Sequence, residues 1–149
     1  MKIYLASSWR NEHYTEVLDR LREEGFDVYD FRNEDTAFHW RSVHAEWKKW
    51  DLFSFVQALE TKIAIRGFAS DLSAMRRSDV CVLLLPCGRS AHLEAGWFVG
   101  KGKQLFILVP EDIEPELMYS MADGVLGSVE DLVIALRAPQ KRLAKEAIS

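Results

Sequence analysis

The sequence lacks the marks of several functional classes. It has only two cysteines, Cys81 and Cys87. On an extended strand they would stand about 20 Å apart, too far for a disulfide. MKIYLASS at the start holds no apolar signal-peptide stretch of useful length, so two unpaired thiols make the cytoplasm the expected location. No apolar run approaches the roughly 20 residues that span a bilayer. There is no basic surplus: 19 Lys and Arg against 23 Asp and Glu give a net charge of −4. A nucleic-acid polymer is therefore not an expected partner, because neutralising phosphates needs a basic face. His13, His39, His44 and His92 form no HExxH or i, i+4 pair, and the cysteines lack CxxC spacing. Neither a metal nor any other cofactor is expected. The GxxxxGK[ST] loop of P-loop NTPases and the GxSxG elbow of α/β-hydrolases are also missing. Ser90 and His92 would point to different faces of a helix, which argues against a Ser–His pair.

What is present is an ordinary globular composition, 48% hydrophobic and 28% charged. A chain of 149 residues fits a single domain, 1–149, long enough to bury a core. The one oddity is aromatic: of five tryptophans, three fall between Trp40 and Trp50.

The organising stretch is DVCVLLLPCGRSAHLEAGWFVGKGK, from Asp79 to Lys103. Val80 to Leu85 is apolar without alternation, as in a parallel strand buried on both faces. After Pro86, Cys87 and Gly88 a helix is expected from about Ala91 to Gly100, with Ser90 as N-cap. Glu94 then falls in or just beyond the first turn, where the helix dipole should keep it ionised at neutral pH. Gly96 and Gly100 inside this helix suggest close packing against the sheet or a neighbouring helix.

Along the chain, Lys2 to Ala6 reads as a first strand leading into Ser7, Ser8, Trp9, Arg10 and Asn11. Glu12 to Glu24 has apolar residues at helical spacing and closes at Gly25. Phe26 to Phe31 alternates as a second strand, completing a βαβ unit. The stretch at about 33–66 interrupts the rhythm and reads as an aromatic-rich helical insertion. Trp40, His44 and Trp47 share a helical face that Trp50 extends, and Ser54 with Gln57 suggests a capping box. Such a stripe is either core or subunit-interface packing, or a lid that stacks on a flat ligand. A further helix is expected to begin at Ser70 and Asp71. Gln104 to Val109 reads as a strand, Glu111 to Tyr119 as a short helix, Gly124 to Leu126 as a last strand and Val129 to Arg137 as a last helix. From Ala138 onward lies a short basic tail, expected as a frayed helix. This alternation predicts a three-layer α/β fold, flavodoxin- or Rossmann-like, with about five parallel strands flanked by helices.

In such sheets ligands gather beyond the carboxyl ends of the strands. Asp71 and Glu94 would bring two carboxylates there, close to the loop Ser7 to Asn11. A carboxylate nucleophile with a second group as acid is the arrangement that cleaves a glycosidic bond through an oxocarbenium-like transition state. Arg10, Gly88, Arg89 and Ser90 supply cationic forks, backbone donors and a hydroxyl suited to a phosphate or sugar hydroxyls.

The pattern SDLSAMRRSDVCVLLLP…GRSAHLEAGWFVGKGKQLFIL resembles the nucleoside 2-deoxyribosyltransferase-like superfamily, which includes deoxynucleoside-monophosphate N-glycosidases. The likeness covers the first strand and its loop, then Asp71 to about Pro110. It sets the family's helix-initial Asp on Asp71, the Asp before the buried strand on Asp79, and the catalytic Glu on Glu94 with Gly96 after it. The resemblance implies a flavodoxin-like sheet, Glu94 attacking the anomeric carbon of deoxyribose, and Asp71 near the nucleobase or its leaving-group proton. Many transferases of the family carry an acidic DGxAxE loop; here it is CGRSAHLE, which favours a ligand with an anionic group near Arg89 and Ser90. The substrate-binding candidates are Ser7, Ser8, Trp9, Arg10, Gly88, Arg89, Ser90 and Trp40, and the catalytic candidates are Glu94 and Asp71.

The leading expectation is thus an enzyme that cleaves or exchanges the N-glycosidic bond of a 2′-deoxynucleoside or its 5′-monophosphate, a small-molecule substrate. Two readings stand beside it: a non-catalytic nucleotide-binding sensor, and a glycosidase acting on another ribosyl nucleotide. A homodimer or larger homo-oligomer is expected, with Trp40, Trp47 and Trp50 near a subunit contact or closing the pocket.

Overall fold

The computed structural model describes residues 1–35 and 37–139; all of the basic tail expected as a frayed helix but its first two residues, Ala138 and Pro139, lies outside them. Five strands, β1 (Lys2–Ala6), β2 (Asp27–Tyr29), β3 (Val80–Leu84), β4 (Gln104–Leu108) and β5 (Gly124–Leu126), pair in parallel in the order β2-β1-β3-β4-β5. Five helices, α1 (Tyr14–Glu23), α2 (Leu52–Leu59), α3 (Lys62–Arg77), α4 (Arg89–Gly100) and α5 (Val129–Arg137), connect them. The three-layer α/β, flavodoxin-like architecture expected from the sequence is the one observed.

Strand alternation divides the core between the two faces of the sheet. Ile3, Leu5, Val80, Val82 and Leu84 face one way and are covered by Tyr14, Val17, Leu18 and Leu21 of α1 and Leu132, Val133 and Leu136 of α5. Tyr4, Ala6, Cys81 and Leu83 face the other way, against Ala74 and Met75 of α3 and Ala91, Ala95 and Phe98 of α4. All five residues of β3 are buried, because it is the central strand with helices on both sides. Asp79 belongs to the amino-terminal edge, where its carboxylate accepts the Lys2 amide proton at 2.7 Å.

Several boundaries differ from expectation for identifiable reasons. Helix α3 starts two turns before Ser70, at Lys62, capped by Thr61, whose hydroxyl accepts from the Ala64 amide. Asp71 is therefore a mid-helix residue, not a helix start. Gly67 lies inside α3, where a Cβ would meet Phe38 Cβ and Cγ at 3.0 Å. Helix α2 is capped by Asp51, which accepts from the Ser54 amide at 2.8 Å, so Ser54 is not the cap. The tryptophan stripe is not a helix: Trp40–Ser42 and Trp47–Lys49 are isolated 3₁₀ turns. Glu111 to Glu116 is irregular, with a 3₁₀ turn only at Leu117–Met121, because Pro115 interrupts the stretch read as helical. Nor do Gly96 and Gly100 mark close packing: a Cβ at either would meet nothing within 4 Å.

Gly67 carries a prediction. Alanine would add helix propensity of about 1 kcal/mol, but its methyl would press on the stem of Phe38, and overpacking costs about 1–3 kcal/mol. Gly67→Ala should lower the thermal midpoint by several degrees. A raised midpoint in a melting curve would show that Phe38 yields freely.

Candidate active site

Glu94 and Asp71 meet over the α3/α4 face of the sheet, and two tyrosines tie them to it. Tyr4, in the middle of β1, stacks on Tyr29 at the end of β2, with ring centroids 5.4 Å apart. The Tyr29 hydroxyl donates to Asp71 Oδ1 at 2.9 Å. The Tyr4 hydroxyl hydrogen-bonds Glu94. Each tyrosine thus leaves one of two adjacent strands, β1 or the edge strand β2, to hold one carboxylate of the two covering helices. The sequence reading missed both. A buried tyrosine on an apolar strand does advertise a polar end in need of a partner, and that is the signal that could have found them.

The electrostatics reverse the expectation for Glu94. Helix α4 starts at Arg89 with Gly88 as N-cap, so Ser90 is already helical and Glu94 lies in the second turn. The dipole effect fades within the first turn, whereas burial and the neighbouring Asp71 charge push the Glu94 carboxyl up to about 7, against the opposing hydrogen bond from Tyr4. Asp71 is also raised by burial, with the Tyr29 bond working against that shift. Burial together with Glu94 and Asp71 raises the Tyr4 hydroxyl, so it stays protonated and serves as a donor. Both thiols are held in their protonated form. Burial and Glu94 push Cys87 up to about 12 and hold Cys81 well above its ordinary value, and the thiolate is the reactive form.

The loops after β1 and β3 are pinned together at the carboxyl edge. Ser7 Oγ donates to the Leu84 carbonyl at 2.9 Å, and the buried Asn11 Nδ2 donates to the Pro86 carbonyl at 3.0 Å. Arg32, also missed from the sequence, holds the first loop from below. One guanidinium nitrogen reaches the carbonyls of Ser8, Trp9 and Asn11 at 2.7, 3.1 and 2.9 Å, and the group sits 4.1 Å over the Tyr14 ring. Ser8 Oγ accepts from the Arg10 amide, leaving the Arg10 side chain exposed. Trp9 is 39% exposed, with its ring centroid 4.2 Å from that of His39. His92 Nδ1 lies 2.8 Å from the Gly88 carbonyl and Nε2 lies 3.0 Å from the Tyr119 hydroxyl, which fixes the turn before α4. A Cβ at Gly88 would meet nothing within 4 Å, so the space over the α4 amino terminus is open.

Arg89 and Trp40 come together elsewhere than Glu94 and Asp71. They share an open cleft of about 390 Å³ with Trp47, Lys48, Trp50 and Phe55, and neither carboxylate lines it. Asp51 and Leu52 complete its wall, which joins the aromatic insertion and the start of α2 to the first turn of α4. Among the described residues, no group of three His, Cys, Asp or Glu side chains could hold a metal ion, and no helix is long and apolar enough to cross a membrane.

The sheet order defines a doubly wound α/β protein, and the paired helix carboxylates lie over β1 and β2, next to the β1/β3 switch point. No protein-family model matches the sequence, and no curated protein is significantly similar to it. Solved structures do share its fold. A 2-deoxyribosyltransferase from the psychrotolerant bacterium Bacillus psychrosaccharolyticus is similar with a TM-score of 0.64 and 22% identity, over 89% of this chain and 90% of that one. A conserved protein from Enterococcus faecalis V583 is similar with a TM-score of 0.59 and 17% identity, over 93% and 99%. A CMP N-glycosidase from Clostridium botulinum gives 0.48 and 16%, over 93% and 100%, a likeness too loose to carry weight. At these identities the likeness speaks for the fold alone.

The raised Glu94 carboxyl predicts a pH profile. Were Glu94 to act as a nucleophile it would have to be ionised, so turnover should rise with pH through about 7 and level off above it. In Tyr4→Phe the hydrogen bond that favours the carboxylate is gone, and this acid limb should move to higher pH. A profile flat between pH 5 and 8 would separate Glu94 from the chemistry.

Proposed function

We propose that this chain is an enzyme that cleaves or exchanges the N-glycosidic bond of a 2′-deoxynucleoside or its 5′-monophosphate. The observation that carries the reading is the Glu94–Asp71 pair, in which burial and the Asp71 charge raise the Glu94 carboxyl to about 7. Perturbed carboxylates held over one spot are what glycosidic chemistry requires. A nucleotide sensor has no use for a half-buried carboxyl held near neutrality by a second one. The similarly folded 2-deoxyribosyltransferase is compatible with this choice.

In the proposed reaction the Glu94 carboxylate bonds to the anomeric carbon as the bond from that carbon to the base nitrogen breaks. The base departs with the electron pair and takes up a proton from solvent that Asp71 orients. Water or a second base then attacks the anomeric carbon and frees Glu94, giving hydrolysis or exchange respectively. Tyr4 holds Glu94 in place, and Tyr29 does the same for Asp71. Ser7 to Arg10 and Gly88 to Ser90 surround the sugar and its 5′ end, with Arg89 and Arg10 as cationic partners for a phosphate. The test is a screen of deoxynucleosides and their monophosphates for free base release, with and without an acceptor base. Release from none of them would overturn the reading.

A homodimer or larger homo-oligomer is proposed through α2 and the first half of α3. Leu52, Phe53 and Phe68 there are 76%, 69% and 68% exposed, and Val56, Leu59 and Ile63 are each nearly half exposed. That is more contiguous apolar surface than a monomer of this size usually leaves in water. Light scattering that gives a monomer would contradict it.

A further inference from the structure

We propose that Arg32 is a positioning residue for the substrate: it draws the carbonyls of the first loop to the α1 side of the sheet and so turns the loop's amides toward the sugar and its 5′ end. The inference rests on the reading of Ser7 to Arg10 as part of the binding site. Three observations support it. First, a single Arg32 nitrogen, Nη2, donates to the Ser8, Trp9 and Asn11 carbonyls at 2.7, 3.1 and 2.9 Å. Second, packing alone does not account for the residue. Among the described residues Arg32 has no ion pair, and its Nε is buried without a hydrogen-bond partner. An apolar side chain would fill the same space without the cost of a desolvated charge and a stranded donor. Third, the guanidinium is fixed in place. It sits 4.1 Å over the Tyr14 ring, and Asp30 Oδ1 accepts both the Tyr14 hydroxyl and the Arg32 amide at 2.9 Å. Tyr14 belongs to the core on the α1 side, opposite the side that carries Glu94 and Asp71.

Peptide geometry carries this arrangement to the ligand. A trans peptide points its C=O and N–H in opposite directions. With the Ser8, Trp9 and Asn11 carbonyls held toward Arg32, the Trp9, Arg10 and Glu12 amides face away from it. Ser8 Oγ takes the Arg10 amide at 3.2 Å. The Trp9 and Glu12 amides have no hydrogen-bond partner among the described residues. Away from the α1 side is toward the carboxylates, so these two donors are presented to the same ligand as Glu94 and Asp71. Outward loop amides suit a phosphate or sugar oxygen, and the unpaired guanidinium behind them adds positive potential. Lysine would keep that charge, but a point charge on a flexible stem would not fix three carbonyls from one place over Tyr14.

The test titrates the full-length, isotope-labelled protein with 2-deoxyribose 5-phosphate and follows the amide resonances. In the wild-type chain the Trp9 and Glu12 amides should move downfield as the ligand binds. Loss of donors set by a charged group predicts that Arg32→Gln binds about tenfold or more weakly and shows neither shift. Arg32→Lys should recover the part of the affinity that charge supplies, without the two shifts. Wild-type shifts confined to other residues, equal affinity in Arg32→Gln, or an Arg32→Lys chain that regains both affinity and shifts would overturn the proposal. Where glutamine costs the fold, the lysine variant alone decides. On a substrate found in the base-release screen, Arg32→Lys should raise KM about tenfold with kcat and the acid limb unchanged. A fall in kcat with a moved limb would make Arg32 a support of the whole site and overturn its role at the loop. The screen itself is read separately. Base release with no Arg32 effect keeps the reaction and removes the positioning role. Amide shifts that vanish in Arg32→Gln, with no base release from any substrate, keep the role and remove the reaction.

Discussion

Glu94→Gln should abolish turnover and, above pH 7, make the protein more stable. The two effects have one origin. Burial and the Asp71 charge raise the Glu94 carboxyl from 4.5 to about 7. Between those values the folded chain holds the proton more tightly than the unfolded chain, so stability falls as pH climbs through this window. Above about 7 the full cost of keeping a carboxylate in that place is present, on the order of 3 kcal/mol from the size of the shift. Glutamine keeps the shape and can still accept from Tyr4, but it carries no charge. Melting curves should show a clear gain in midpoint at pH 8 and little change at pH 4.5. Turnover should drop on the order of 10⁴-fold or more, because an uncharged amide cannot attack the anomeric carbon. Retention of more than about a tenth of the wild-type rate would remove Glu94 from the mechanism.

Asp71→Asn should lower turnover on the order of 10²–10⁴-fold, the usual worth of a group that positions a proton for a leaving base, with a smaller effect on substrate affinity. It should also move the pH profile. Asp71 is one of the two causes that raise Glu94, so neutralising it should shift the acid limb of the remaining activity to lower pH. Asparagine retains an oxygen at the position where Oδ1 accepts the Tyr29 hydroxyl at 2.9 Å, so the fold should tolerate the change. A raised KM with unchanged kcat would assign Asp71 to binding alone. An unmoved acid limb would deny the electrostatic coupling of the pair.

The sequence by itself determined the layer order and most element bounds. Lys2–Ala6, Gly124–Leu126 and Val129–Arg137 fall where periodicity and caps place them. A six-residue apolar run bounded by Asp79 and Pro86 has few alternatives to a buried central strand. Glu94 and Asp71 were also legible as candidates, because motif spacing survives in one dimension. Only the tertiary structure decided what those carboxylates are. Local reading gave Glu94 an ionising helix start, since the dipole is a property of a few consecutive residues. What raises its carboxyl is burial against β1 and a charge from α3, both brought there by chain crossovers that no window of residues contains. For the same reason Tyr4 and Tyr29 emerge as partners only once β1 and β2 lie side by side. The tryptophans, spaced as on a helix, became the wall of a cleft instead. Short 3₁₀ turns fold that segment against Arg89, and packing among large rings outweighs a weak helical preference.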